Sequence, residues 1–452
     1  MRIQCVREGF YRELWALVFP IVIQNLITSA VTMADVLMLG RVSQTALSAS
    51  SLAGQVMFLL SMLYFGLASA ITILSSQYWG KQDRDTVSGI FGIGLLISMS
   101  VSLFAAVMAF FFPTTMMSFW TNVPELQREG AVYLRYAALS YCFLGITQPY
   151  LAAMKSCERV KLSMRVSMIA LGSNVILNAI LIFGLFGFPA MGIKGAALAT
   201  TISRGIEFAV CLYDSVHQEC FPTDPEHVFH IPQELARDFM HYSGPALVND
   251  MLWALAYNMN SVIMGHLGSD IVAANSVVTV ARDVITTVGF GIASASSILL
   301  GKEIGANQLK LAKEDAKNIF RTAFLASLVQ GLILFCTIPI VPKLVILSET
   351  AGSYLRSMLG ISCIYQIGQV MNTLLIASFF RCGGDSKYGL RLDLFSMWGV
   401  SVPLALFGAF VLRLSPLAVY CLMCLDEFVK LPFALYHYTH GQWIRNLTRE
   451  FE

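Results

Sequence analysis

Four side chains inside predicted apolar segments could bind a proton or a dehydrated cation at one depth in a membrane. Asp35 is the only charged residue of the apolar stretch 14–39, and an ionisable group inside a bilayer is costly enough to indicate a functional site. Asn174 and Asn178 are four residues apart and therefore share one helix face. Asn178 and Thr200 each lie roughly 12 Å from the predicted outer boundary, at 1.5 Å rise per residue.

These four residues are our candidate ion-coupling residues, and they are candidate metal ligands only if the ion is Na⁺. Carboxylate, amide and hydroxyl oxygens suit either H⁺ or Na⁺, and the residues alone leave that choice open. The structural alternative is polar contact between neighbouring helices, with Asp35 hydrated at the membrane interface.

A second group of polar side chains lies nearer to the predicted middle of the membrane, in the later part of the chain. Asp250 is about 13 residues into its span and Arg282 about 11 residues into the next one. Arg282 could neutralise Asp250, which would be a structural role, or both could line a cavity. We predict a substrate cavity formed by these two residues with Asn249 and Asn258.

The remaining intramembrane charges have simpler interpretations. Arg204 and Glu207 are three residues apart, and Asp426 and Lys430 are four apart, so each pair can neutralise itself on one helix. Asp393 is predicted about five residues from a span end, roughly 7 Å, where water can reach it.

Long helices must position these groups. The sequence is 56% hydrophobic and 13% charged, whereas soluble domains carry about 25% charged residues. Apolar runs of this length in a membrane are helices. We predict an all-α membrane protein with twelve spans at 14–39, 46–76, 87–112, 130–153, 162–186, 192–216, 237–266, 271–301, 314–341, 354–379, 388–412 and 416–440.

The distribution of basic residues predicts the orientation. About twenty Lys and Arg lie on the side of the termini and of the even-to-odd connections, against about six on the other side, and basic loops stay in the cytoplasm. Both termini are therefore predicted to be cytoplasmic, in a multi-pass protein of the cytoplasmic (inner) membrane.

The chain also repeats itself. Pro20 and Gly80 recur 225 residues later as Pro245 and Gly305. This predicts two six-helix lobes, 1–216 and 237–452, related by a pseudo-two-fold axis along the membrane normal and joined by a cytoplasmic linker, 217–236. Two such lobes are typical of alternating-access transporters. The two prolines are candidate hinges, because each removes a backbone donor and weakens its helix.

Several soft motifs, taken in order, resemble the multidrug and toxic compound extrusion (MATE) family over nearly the whole chain. The first span with Pro20, Asp35 and Gly40-Arg41 resembles that family's first helix. Residues 174–200, 245–275 and 381–387 resemble its fifth and sixth helices, its seventh helix and a loop of its second half.

The resemblance implies a secondary antiporter that exports organic, often cationic compounds in exchange for H⁺ or Na⁺. The family's first-helix coupling acid corresponds to Asp35, its fifth- and sixth-helix polar residues to Asn174, Asn178 and Thr200, and its seventh-helix acid to Asp250. Two departures are that Asn178 is neutral where several members carry Asp, and that Asp250 is shorter than the usual Glu.

Two other functions remain open at this point. A flippase for a lipid-linked or polyanionic substrate could use a related two-lobe fold, and a non-transporting membrane scaffold would have no need of aligned polar groups. We find no HExxH, framed GxSxG or P-loop motif, so we expect no enzyme and no cofactor. The net charge of +2 predicts no nucleic-acid partner, and the expected partners of the monomer are a small organic substrate and the lipid bilayer.

Overall fold

The computed structural model describes residues 9–229, 231–344, 348–440 and 443–450. In these ranges the chain forms helices joined by short turns, without strands. The long helices are α1 Phe10–Gly40, α2 Gln44–Lys81, α3 Arg84–Phe111, α4 Pro124–Ser156, α5 Val160–Phe183, α6 Ile193–His217, α7 Gln233–Leu267, α8 Ser269–Gly305, α9 Leu309–Thr337, α10 Glu349–Phe380, α11 Ser386–Val411, and α12, which consists of Pro416–Met423 and Leu425–Thr439.

Each predicted span corresponds to one of these helices. Among the described residues, nine helical stretches are long and apolar enough to cross a membrane. The other three are α4 and α7, which carry several charged and amide side chains, and α12, which is interrupted at Cys424. Two neighbouring helices change to wider π-helical turns, α10 over Thr373–Phe380 and α11 over Leu394–Ser401.

The helices form a first lobe, α1–α6, and a second lobe, α7–α12. One buried core joins α2, α3, α4 and α6, and another joins helices α7 to α12. Two further cores cross between the lobes, where α1 packs on α8 and α2 packs on α7. This confirms the predicted two-lobe, all-α membrane fold.

The lobes meet at one end of the bundle, which we call the basic end. It carries the turns at 82–83, 157–159, 306–308 and 381–385 and the segment 218–232 between α6 and α7. Gln77 of α2 donates to the Cys382 carbonyl at 2.6 Å and accepts from the Leu447 amide at 2.7 Å, and Lys302 pairs with Glu158 at 2.8 Å. These bonds close the basic end.

The contact between α2 and α8 at the basic end is reciprocal. A methyl group added to Gly80 would overlap the Lys302 carbonyl, and one added to Gly305 would overlap the Gln77 carbonyl. The 225-residue shift found in the sequence relates Gly80 to Gly305 and Gln77 to Lys302, so the two contacts are equivalent. Only glycine permits helices to approach this closely. The sequence repeat therefore corresponds to two equivalent backbone contacts across the pseudo-two-fold axis.

The lobes diverge towards the opposite end. Gly291 of α8 packs against Val22 of α1, but Val284 and Val280, two and three turns further along the same face of α8, are exposed. On the other side Gly66 of α2 packs against α7, and Leu59, two turns further on, is exposed. A cleft between the lobes therefore opens at the end opposite the basic end.

Candidate functional site

The first lobe contains a chain of hydrogen bonds that starts at Asp35. Asn178 Nδ2 donates to Asp35 Oδ1 at 2.6 Å and also to Asn174 Oδ1 at 3.1 Å. Asn174 Nδ2 in turn donates to Ser203 Oγ at 3.3 Å. The chain therefore links α1, α5 and α6 and contains three of the four predicted ion-coupling residues.

The helix geometry explains why these groups meet. Asn174 and Asn178 lie on one face of α5, as their spacing predicts, and both are buried between α1 and α6. Asp35 is only partly buried and lies beyond the point where α1 leaves α8. Asn178 Oδ1 is buried without a hydrogen-bond partner among the described residues, so the cluster has an unused acceptor next to its carboxylate.

Thr200 is near this cluster but is not bonded to its carboxylate or amides. Its hydroxyl donates to the Ala196 carbonyl of its own helix at 3.0 Å. The phenol of Tyr133, on α4, interacts with Thr200 and electrostatically with Asp35. Sequence reasoning missed Tyr133, because nothing in its spacing along α4 relates it to the other helices.

Arg204 of α6 is a cation that interacts with this cluster. It pairs with Glu207 at 2.5 Å, as the sequence predicted, and Gln148 Nε2 approaches the same carboxylate at 3.5 Å. Arg204 also interacts electrostatically with Asp35. The self-paired interpretation is therefore correct but incomplete, since the guanidinium also acts on the candidate coupling residue.

The second lobe corrects one prediction. Asp250 is neutralised by Arg381, not by Arg282: Nη2 lies 2.6 Å from Oδ1 and Nη1 lies 3.0 Å from Oδ2. Nη1 of Arg381 also donates to Ser69 of α2 at 2.8 Å, so this ion pair joins the lobes. Arg381 follows directly on α10 and is buried, whereas the sequence placed it in a loop.

The residues predicted to form a substrate cavity make no hydrogen bond or ion pair with one another in the described structure. Asn249 Nδ2 donates to Asp393 Oδ2 at 2.9 Å. Asn258 is exposed and donates to the Ala254 carbonyl of its own helix at 2.8 Å. The guanidinium of Arg282 lies 5.2 Å from the centre of the Tyr365 ring. The four residues therefore have different bonding partners, and the shared substrate cavity stays a prediction.

A third polar group surrounds Lys430 in the second lobe. Its ammonium lies 3.1 Å from Asp393, 3.2 Å from Glu427 and 3.7 Å from Asp426. The expected pair with Asp426 is present, but Asp393 is buried in this group and not hydrated at the membrane surface. The prediction failed because Lys430 and Asn249 reach Asp393 from other helices.

Two six-helix lobes that face each other across a cleft, with polar clusters at membrane depth, define a multi-pass membrane transporter. The MatE family model matches residues 20–180 and 245–407, which is most of the chain. The chain therefore belongs to the MatE family.

Individual relatives agree with this assignment. The uncharacterized transporter YisQ of Bacillus subtilis is 22% identical over 419 residues, covering 92% of each chain. The multidrug resistance protein NorM of Burkholderia vietnamiensis is 25% identical over 407 residues, covering 86% of this chain and 85% of NorM. The structure of the Vibrio cholerae MATE transporter VcmN in the bent form has a TM-score of 0.85 at 15% identity, covering 96% of this chain and 97% of that chain.

Proposed function

We propose that this chain is a secondary antiporter that exports organic compounds, cationic ones among them, in exchange for inward H⁺. The observation that carries the proposal is the 2.6 Å hydrogen bond from Asn178 to the partly buried carboxylate of Asp35. The relatives named as multidrug resistance proteins support the export of varied organic compounds.

The hydrogen-bond directions favour H⁺ over Na⁺. Asn178 turns its amide nitrogen, not its oxygen, towards Asp35, and Thr200 donates its hydroxyl to its own helix. Sodium binds through oxygen atoms of its ligands, and these two oxygens are not turned towards Asp35. A proton needs one carboxylate oxygen, which Asp35 supplies. If Na⁺ is used instead, Asp35, Asn174, Asn178 and Thr200 would have to turn their oxygens to it.

Protonation changes what Asp35 can bond. An ionised carboxylate only accepts hydrogen bonds, whereas a protonated one also donates. Asn178 Oδ1, which has no hydrogen-bond partner among the described residues, would accept a hydrogen bond from protonated Asp35 after the amide rotates. That exchange alters the packing of α1 against α5 and α6. Because a ligand shifts a conformational equilibrium only by its different affinity for two states, proton and substrate must favour different packings.

Topology and organisation follow from the basic residues and the repeat. We place the basic end, both termini and a linker at 217–236 on the cytoplasmic side of a bacterial-type inner membrane. The lobes are then residues 1–216 and 237–452, and the cleft opens to the outside. The protein works as a monomer, with the bilayer and a small organic substrate as its partners.

A flippase for polyanionic lipid-linked substrates is the weaker candidate. Such a substrate would need free cations in the cavity. Arg381 is held by Asp250, and Arg282 is buried against Tyr365.

Transport in proteoliposomes tests the proposal. A panel of organic cations should move against an imposed H⁺ gradient in Na⁺-free buffer, and Asp35→Asn should abolish this movement while the protein still inserts. Asp85→Asn is the matched control, because Asp85 is exposed at the start of α3. Movement driven only by a Na⁺ gradient at matched pH, or full activity of Asp35→Asn, would contradict the proposal.

A further inference from the structure

The group around Lys430 contains more acid than base. Asp393, Asp426 and Glu427 all lie within 4 Å of the single ammonium. The four residues are only 7%, 4%, 2% and 3% exposed, in the order Asp393, Asp426, Glu427, Lys430. If all were ionised, the group would carry two uncompensated negative charges inside the lobe.

In the described part of the chain, Lys430 is the only cation that forms an ion pair with these three acids. Arg381, which interacts with Asp393, is already neutralised by its two-point pair with Asp250. Tyr365 of α10 and Cys424 of α12 face the acids and carry no positive charge. Arg282 of α8 lies over Tyr365, 5.2 Å from the ring centre, and even when its charge is counted the three acids face only two cations. The amides of Asn249 and Asn372 donate hydrogen bonds to Asp393 and Glu427 but add no charge.

Because the group is buried, its excess of negative charge favours protonation of a carboxylate. Moving an uncompensated charge out of water is unfavourable even after relaxation, and carboxylates that share a site therefore retain protons. One oxygen is available for such a proton, because Asp426 Oδ1 is buried with no hydrogen-bond partner in the described part of the chain. The ammonium already occupies the position among the carboxylates that a metal ion would take.

The backbone is irregular at the same place on three helices. The π-helical turns of α10 begin directly after Asn372, and those of α11 begin directly after Asp393. Helix α12 is interrupted at Cys424, two residues before Asp426. Wide turns and interrupted helices recur at functional sites of membrane transporters, and here they coincide with the buried acids.

We propose that Asp426, Glu427 and Asp393 bind a shared proton beside Lys430, forming a second proton site in the second lobe. The site is separate from Asp35 and does not depend on the assignment of Asp35 as the coupling residue. In the conformation with a closed basic end, one of these carboxyl groups stays protonated. When the proton is lost at high pH, the carboxylates on α11 and α12 repel one another.

Infrared difference spectroscopy of the purified full-length protein, between acidic and alkaline pH, tests the site directly. A protonated carboxyl group gives a carbonyl band that shifts in D₂O. We expect this band in the wild type and also in Asp35→Asn, and we expect Asp426→Asn to reduce its area by about half or more. Asp85→Asn, at an exposed position, should leave the band unchanged.

Two further variants keep the result interpretable. Asp426→Asn and Glu427→Gln resemble the protonated forms and should fold, which thermal unfolding checks. Lys430→Met removes the only ammonium, so the remaining acids must hold more protons and the band should grow. A band that is absent from the wild type, that is unchanged in both Asp426→Asn and Glu427→Gln, or that disappears on adding Na⁺ at constant pH would overturn the proposal.

Discussion

Asp250 of α7 and Arg381 form a two-point ion pair that also holds Ser69 of α2, so one guanidinium connects both lobes. The Arg381 side chain is 4% exposed and the Asp250 side chain 12% exposed. Planar two-point pairing fixes orientation as well as charge. The seventh-helix acid thus joins the two lobes in this conformation.

Removing Arg381 should destabilise the protein strongly. Arg381→Met leaves Asp250 buried and unpaired, which costs about 3–5 kcal/mol and should lower the midpoint of thermal unfolding in detergent. The double variant Asp250→Asn/Arg381→Met should recover part of the loss, because it removes the unpaired charge. Arg159→Met is the control: its pair with Asp214 is more exposed and should cost about 0–1 kcal/mol. Equal losses for both single variants would refute the role of this pair.

A second acid beside Asp35 should shift the pH dependence of export. In Asn178→Asp the 2.6 Å contact would join two carboxyl groups. Repulsion between two neighbouring negative charges would favour the state in which they share one proton. The pH midpoint of export in proteoliposomes should therefore move upward by about one unit or more. Asn122→Asp adds the same charge at an exposed position just before α4 and should leave the midpoint unchanged. A midpoint unaffected by Asn178→Asp would show that Asp35 does not carry the coupling proton.

The glycine contact between α2 and α8 should control how tightly the basic end closes. Gly80→Ala or Gly305→Ala places a methyl group against a carbonyl oxygen, and overpacking of this kind typically costs about 1–3 kcal/mol. Spin labels across the basic end should report a broader, longer distance distribution for either variant. Gly54→Ala is a matched control on α2, since a methyl group there meets nothing within 4 Å. Unchanged distances in both variants would mean that the contact does not limit closure.

The prolines should ease bending of the helices that line the cleft. Helix α1 continues through Pro20 and α7 through Pro245, and each proline frees one carbonyl, at Ala16 and His241. Labels at the far ends of α1 and α7 should change their separation on acidification, and the change should be absent in Asp35→Asn and smaller in Pro20→Ala. Pro416→Ala is the control, because proline is readily accommodated in the first helical turn. A separation that never responds to pH or Na⁺ in the wild type would exclude this mechanism.

The sequence predicted what depends on local spacing and failed where distant helices meet. Long apolar runs identify all twelve helices, and the four-residue spacing of Asn174 and Asn178 predicts one face. The ion pair of Asp250 could not be assigned, because Arg381 is 131 residues away and looked like part of a loop. Asp393 was misjudged for the same reason: depth along one helix says nothing about the lysine on another.

The reciprocal contact of Gly80 and Gly305 has a consequence for how the chain arose. Gly80 of the first lobe contacts Lys302, and the equivalent glycine of the second lobe, Gly305, contacts Gln77, which is the equivalent of Lys302. A two-fold homodimer makes the same kind of self-complementary contact. Two separate copies of one six-helix ancestor could form it with no new residue. Gene duplication and fusion would then have preserved this contact, while the polar residues of each copy were free to diverge into an Asp35 cluster in one lobe and a Lys430 cluster in the other.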